Sequence, residues 1–165
     1  MDNILSAFSG FPSQEKVAQM MIRHGIRVAD GKAYCGDIEL SDSALGRAAG
    51  VDRRVIRSTI ERIGSNEKLS AVFSKLISIP LFSDAASEIG CSTLEIIPTD
   101  ATIPGILADA ASIIYKAGVS IRQAVVDDPG LGKDAHLIIV MDGQLPPEYI
   151  PVLKASRGVK QIVIR

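Results

Sequence analysis

Thr99-Asp-Ala-Thr-Ile-Pro-Gly-Ile-Leu-Ala108, followed by an apolar stretch and then Gly118-Val-Ser-Ile121, decides the fold of the second half of this chain. Pro104 presets φ at a helix start, and Gly105 removes the Cβ there, so a second chain or a ligand can approach the backbone. The free N–H groups of such a helix end can receive a carboxylate. Ile106, Leu107, Ala110, Ala111, Ile113, Ile114 and Ala117 form a wide apolar surface, and Asp109, Ser112 and Lys116 form the polar stripe. A helix packed on a sheet needs only one apolar face, so the surplus suggests a second contact, with a neighbouring copy of the chain. Gly118 stops the helix, and a strand follows over 119–126.

Working outward, Thr93-Leu-Glu-Ile-Ile97 alternates as a strand does, and 135–141 reads as another. Leu137, Ile139 and Met141 lie on one face of that strand and Ile138 and Val140 on the other. A solvated antiparallel sheet would carry polar residues on its outer face, so the second face is expected to be covered, by the N-terminal domain or by a partner chain. Pro147 opens a helix to about residue 156, Gly158 stops it, and 159–164 closes the unit as a strand. The order is βαββαβ, a ferredoxin-like split unit. Asp127-Asp-Pro-Gly-Leu-Gly-Lys-Asp134 lies between two strands and lacks the spacing and trailing hydroxyl of a phosphate loop, so it reads as a hairpin loop.

The N-terminal half has a different rhythm. A helix is predicted over 12–23 and a hairpin over 26–34, turning at Asp30-Gly31, with Ile38 and Leu40 extending it. Ser41, or alternatively Asp42 or Ser43, caps a helix to Ala49, Gly50 breaks it, and Asp52 caps the next, to Ile63. A further helix is predicted over 67–79, stopped by Pro80; residues 80–92 are ambiguous, one option being a short helix over 83–89. Within this half, Ala48 and Ala49 are small enough to let two helices cross, Gly50 makes the turn, and Val51 plugs the crossing. Val55, Ile56, Ile60 and Ile63 form the buried side of the second helix, leaving Arg53, Arg54, Arg57 and Ser58 facing outward. That is the pattern of a helix-turn-helix, whose second helix enters the major groove by its N-terminal half. Arginine there can grip guanine or hold phosphate. The hairpin at 26–34 would act as a wing or as a brace.

Composition bounds the reading. Apolar residues are 47% of 165 and charged residues 22%, which suits one ordinary domain or two small ones. Residues 1–79 carry a net +2 and residues 80–165 a net −3, which permits a local basic surface on the first half. No run approaches the roughly 18 apolar residues of a membrane span, and residues 1–13 lack the pattern of a signal peptide. Cys35 and Cys91 sit in no paired motif, so a reduced, cytoplasmic protein is expected. His24 reads as a capping or core residue, and His136 has no metal partner nearby in sequence. No metal spacing, no cofactor motif and no catalytic constellation emerges, so a non-enzymatic protein without metal or cofactor is expected.

Asp100-Ala-Thr-Ile-Pro-Gly-Ile-Leu-Ala108, with its spacing to Gly118-Val-Ser-Ile121, resembles the signature of the ACT domain, over about residues 92–165. With the helix-turn-helix before it, the whole chain resembles archaeal regulators of amino-acid metabolism. The implied layout is a helix-turn-helix-like domain over 1–82, a linker over 83–91 and an ACT domain over 92–165, an α+β chain. The resemblance implies homodimers or higher homo-oligomers whose sheets join side by side. It also implies a small-molecule effector, an amino acid, at that interface, and DNA as the second partner. Carried over by position, the effector contacts are Asp100, Thr102, Gly105, Ile106 and Ser120. Many relatives have asparagine where Thr102 and Ser120 stand; both positions here keep a hydroxyl and lose the amide. The alternative is a regulatory subunit that docks on a metabolic enzyme through its N-terminal helices.

Overall fold

The computed structural model describes residues 4–128 and 135–165. Among the described residues, six α-helices and two antiparallel sheets, an α+β structure, fall into two units, Met1–Pro80 and Leu81–Arg165. The hairpin loop read over 127–134 lies largely outside the described residues.

In the first unit, α1 (Pro12–Arg23) is followed by β1 (Arg27–Ala29), β2 (Lys32–Cys35) and β3 (Ile38–Leu40). Asp30 at φ 51° and Gly31 at φ 69° make the tight turn between β1 and β2 that their sequence predicts. Val28 lies opposite Ala33, and Ala33 opposite Leu40, so this face meets the core. The other face carries Arg27, Tyr34 and Glu39 in a row across the three strands, with the Arg27 guanidinium 4.7 Å from the Tyr34 ring centre.

Three helices complete the unit. Ser41 caps α2 (Asp42–Ala49), accepting from the Ala44 amide at 3.2 Å. Asp52 caps α3 (Arg53–Ser65), accepting from the Arg54 amide at 2.8 Å. The last, α4 (Glu67–Phe73), begins where α3 stops: Asn66 is the C-cap of α3 and the N-cap of α4, its side chain accepting from the Leu69 amide at 3.1 Å. Phe8, Val17, Met21, Ile56, Ile60, Ile63, Leu69 and Phe73 form the fully buried centre.

The helix predicted over 67–79 ends at Phe73 instead. Beyond it Ile77 and Ile79 are about three-quarters exposed, at 75% and 73%. Tertiary hydrogen bonds explain the early stop. Ser78 Oγ donates to the His24 carbonyl at 2.6 Å and receives Cys35 Sγ at 3.3 Å, so the chain is drawn across the end of α1. His24 is the C-cap of α1 and is exposed, which fits the capping role.

In the second unit the element order is β4 (Cys91–Pro98), α5 (Ile106–Lys116), β5 (Ser120–Val126), β6 (Leu137–Asp142), α6 (Tyr149–Lys154) and β7 (Val159–Ile164). The strands lie in the order β5-β6-β4-β7, every neighbouring pair antiparallel. Leu94 and Ile96 of β4 lie opposite Ile139 and Leu137 of β6. They share a buried cluster with Ala110, Ile113 and Ile114 of α5 and Leu153 of α6.

The second face of this sheet is covered at one end by the segment just before β4. Residues 83–91, expected as a linker, form two 3-10 turns, Ser83–Ala85 and Ser87–Ile89, and the first residue of β4. Thr93 Oγ1 donates to the Ser83 carbonyl at 2.8 Å, and the Phe82 amide donates to Gln123 Oε1 at 3.0 Å. Ala86 is buried with Cys91 and Val140. The chain thus supplies locally part of the cover that the sequence suggested another domain or chain would give.

Gly25 has φ +60°, and a Cβ there would overlap the Ile77 carbonyl. Gly25→Ala should therefore lower stability by about 2–3 kcal/mol, read as a drop in the urea midpoint with an unchanged slope. An unchanged midpoint would show that the 74–79 segment does not lie against Gly25.

Candidate functional site

The first candidate surface is built by α2, its turn and α3. Gly50 ends α2 in the left-handed region at φ 65°, and the Val51 amide donates to the Gly46 carbonyl at 2.9 Å. A Cβ on Gly46 would come within 2.9 Å of the Val51 carbonyl oxygen. The small residues at the crossing are therefore Gly46 and Ala49, both buried, whereas Ala48 is exposed, contrary to the sequence reading. Val51 is half-buried and packs on the core, as a plug would.

The orientation of α3 follows from its buried residues. Ile56, Thr59, Ile60 and Ile63 recur at helical spacing and face inward, so Arg53, Arg54 and Arg57 are exposed. Ser58 does not join them. It is half-buried, its Oγ donates to the Val55 carbonyl at 3.0 Å, and it accepts from Gln14 Nε2 at 3.1 Å. Gln14 also accepts from Arg62 Nε at 2.7 Å, and Arg62 stacks 3.8 Å over the Phe11 ring. The Ser58 side of α3 is thus fastened to α1, and this residue is corrected from the outward set.

Arg53, Arg54 and Arg57 line a groove of about 500 Å³ together with Lys32, Glu39 and Leu40 of the sheet and Ser41, Asp42 and Ser43 at the start of α2. Arg57 already has acceptors: the Gly31 carbonyl at 3.4 Å, Glu61 at 3.5 Å and Asp42 at 3.9 Å. Arg53 and Arg54 make no ion pair among the described residues. The first turn of α3 holds no acidic residue. The Asp52 carboxylate caps the positive end of the helix dipole through the Arg54 amide, and the Arg53 and Arg54 side chains beside it are exposed.

The second candidate surface lies after β4. Asp100 accepts from the Thr102 amide at 2.9 Å and from Thr102 Oγ1 at 2.7 Å. These bonds, the hydroxyl first and the amide second, hold the Asp100 carboxyl below the ordinary carboxylate range. Gly105, at φ 99°, is the N-cap of α5, with no side chain capping the helix and nothing near a notional Cβ. A cavity of about 140 Å³ opens here. Pro98, Ile103, Gly105, Ile106, Leu107, Val126 and Leu137 form much of its wall, with Asp127 and His136 among its polar residues.

The five effector residues are not brought together within one chain. Gly105 and Ile106 line the cavity, and Asp100 and Thr102 sit in the loop beside it, engaged with each other. Ser120 lies opposite Asp142, which lies opposite Cys91, at the far end of the sheet from Pro98. Val126 and Leu137 were not singled out in the sequence, because a strand residue lining a cavity has the same apolar pattern as one in the core. The sequence also missed Glu95. Its carboxylate receives His136 Nδ1 at 2.7 Å and Arg165 Nη2 at 2.7 Å, and Arg165 reaches Asp84 at 3.6 Å. The described residues contain no group of three metal-ligating side chains, and no described helix is long and apolar enough to cross a membrane.

No protein-family model matches the chain, and no curated protein matches it. Among solved structures it is similar to the crystal structure of PH0061, at 11% identity over 92% of this chain and 88% of that one, with a TM-score of 0.28. It is also similar to the transcriptional regulator NMB0573 of Neisseria meningitidis, solved with L-Met, at 12% identity over 93% and 86%, with a TM-score of 0.29. Likeness at this level carries no weight for ligand or partner, and the two surfaces are read from their own residues.

The Asp100–Thr102 bonds favour the folded state above the unfolded carboxylate range, and that contribution is lost as pH falls through the depressed value. Thr102→Val removes the leading cause and should move the Asp100 pKa upward, measured by carbon-detected NMR titration. A titration that does not move would mean the hydroxyl bond is not made in solution.

Proposed function

We propose that this chain is a cytoplasmic, ligand-responsive transcriptional regulator that binds DNA through α3 and an amino acid at its second unit, and that it works as a homodimer without a catalytic step. The observation that carries the DNA reading is the outward pair Arg53 and Arg54 at the start of α3, without an ion pair among the described residues and flanked by Arg57. The tight Gly46–Val51 turn supports it, because it gives α2 and α3 the close crossing a helix-turn-helix requires.

The sensor reading rests on the ACT-like signature, the ferredoxin-like strand order and the cavity beside Gly105. The separation of Ser120 from Gly105 fits an effector held between two copies. β5 is an edge strand. Antiparallel pairing of two β5 edges would set the Ser120 end of one copy beside the Val126 end of the other, next to its cavity. An amino acid seated there would favour one dimer geometry and so one spacing of the two α3 helices. Coupling of about 1–3 kcal/mol would change DNA affinity several-fold to a hundredfold.

Arg53→Ala with Arg54→Ala should weaken binding to duplex DNA and lower the slope of log affinity against log salt by about two per chain, with unchanged helical content by circular dichroism. In parallel, an amino acid at millimolar concentration should raise the Tm of the wild-type protein and not of Gly105→Val. Wild-type protein that binds no duplex at low salt would remove the DNA reading. A Tm unmoved by all twenty amino acids would remove the amino-acid reading.

A further inference from the structure

Lys32 lines the same groove as Arg53, Arg54 and Arg57 of α3. Register explains its position. Tyr34 lies between Arg27 and Glu39 on the outward face of the three-stranded sheet, and Lys32, two residues before Tyr34, shares that face. Its Nζ is 2.8 Å from Glu39 Oε2, and the two side chains are about half exposed, at 51% and 53%. The carboxylate holds the Lys32 ammonium above the ordinary lysine range, so Lys32 is charged at any physiological pH. An ion pair this exposed contributes little to folding. Its larger effect is on the groove, where it neutralises a cation that faces two unpaired arginines. With Lys32, Arg53, Arg54 and Arg57 against Glu39 and Asp42, the lining carries two more positive than negative charges, complementary to a polyanion.

We propose that the groove takes the sugar-phosphate backbone of duplex DNA, that Lys32 is a phosphate contact there, and that Glu39 restrains it by competing with the phosphate. The proposal rests on the DNA reading of α3. It assigns the β2–β3 pair a direct part in binding, beyond bracing the helices. It also gives the surface a built-in brake: the phosphate must take Lys32 from Glu39, so binding is weaker than the count of cations alone would give.

The test is a double-mutant cycle on the full chain with a fluorescent random-sequence duplex, read across about 50 to 200 mM salt. Lys32→Gln should weaken binding and reduce the salt slope by about one per chain, equivalent to about three- to fourfold in affinity across that range. Glu39→Gln should tighten binding several-fold, and this gain should vanish in the Lys32→Gln background. Both residues are exposed, so neither change should alter the Tm by more than a degree or two. Equal tightening by Glu39→Gln with and without Lys32 would overturn the proposal, because Glu39 would then act only as a repelling charge. Wild-type affinity and slope in Lys32→Gln would overturn it too, while loss of binding in the Arg53 and Arg54 variants kept the DNA reading intact. Absence of duplex binding by the wild-type chain would remove the DNA reading and the proposal together.

Discussion

The surface of the first unit depends on the burial of one helical stripe. Ile56, Ile60 and Ile63 are at most 1% exposed and pack among Val17, Met21, Leu45, Leu69 and Phe73. Each such side chain contributes about 1.5–3 kcal/mol relative to exposure, so rotating α3 about its axis would forfeit several of these contributions at once. The helix has one available orientation. Arg53, Arg54 and Arg57 face outward as a consequence of what cannot, and a glycine at position 46 lets α2 come close enough to close the core beneath them.

Local chemistry in this unit was legible where a residue acts on its own backbone. Ser41 and Asp52 cap the helices their sequence announces, Asp30-Gly31 turns the hairpin, and Gly50 ends α2. What could not be read was competition from residues distant in sequence. The apolar periodicity after Phe73 favours more helix, but Ser78 is held by the end of α1, and that contact ends the helix first. Ser58 looked outward because periodicity assigns residues to faces and takes no account of Gln14 reaching across from another helix. Ala48 and Ala49 drew attention as small residues, while Gly46, on the side that meets the turn, is the one whose lack of a Cβ matters.

In the second unit the sequence yielded the order of elements, because glycine and proline punctuate it and separate short alternating or continuously apolar runs. It could not yield the register, and the site is a matter of register. Pairing sets Ser120 beside Asp142 and so at the far end from Gly105, which splits the set of five residues into two groups within the chain. Pairing likewise brings His136 and Arg165 to Glu95, an arrangement hidden from a reading that found His136 alone. The covering of β4 by residues 81–90 was illegible for another reason. Residues 81–90 mix apolar and polar side chains without a repeat long enough to show whether the segment spans open solvent or lies on a sheet.

Asn66 has a mechanical meaning. It ends α3 and starts α4 with no residue left over to act as a swivel, and the buried Ile63 and Leu69 on either side fix both helices in the same core. The two helices therefore form a stiff elbow, with the arginines at one tip and, at the other, the covalent path toward residue 81. A pull applied along that path would meet the Ser78 anchor on the His24 carbonyl before it reached α4, so the elbow and α1 would bear the load together.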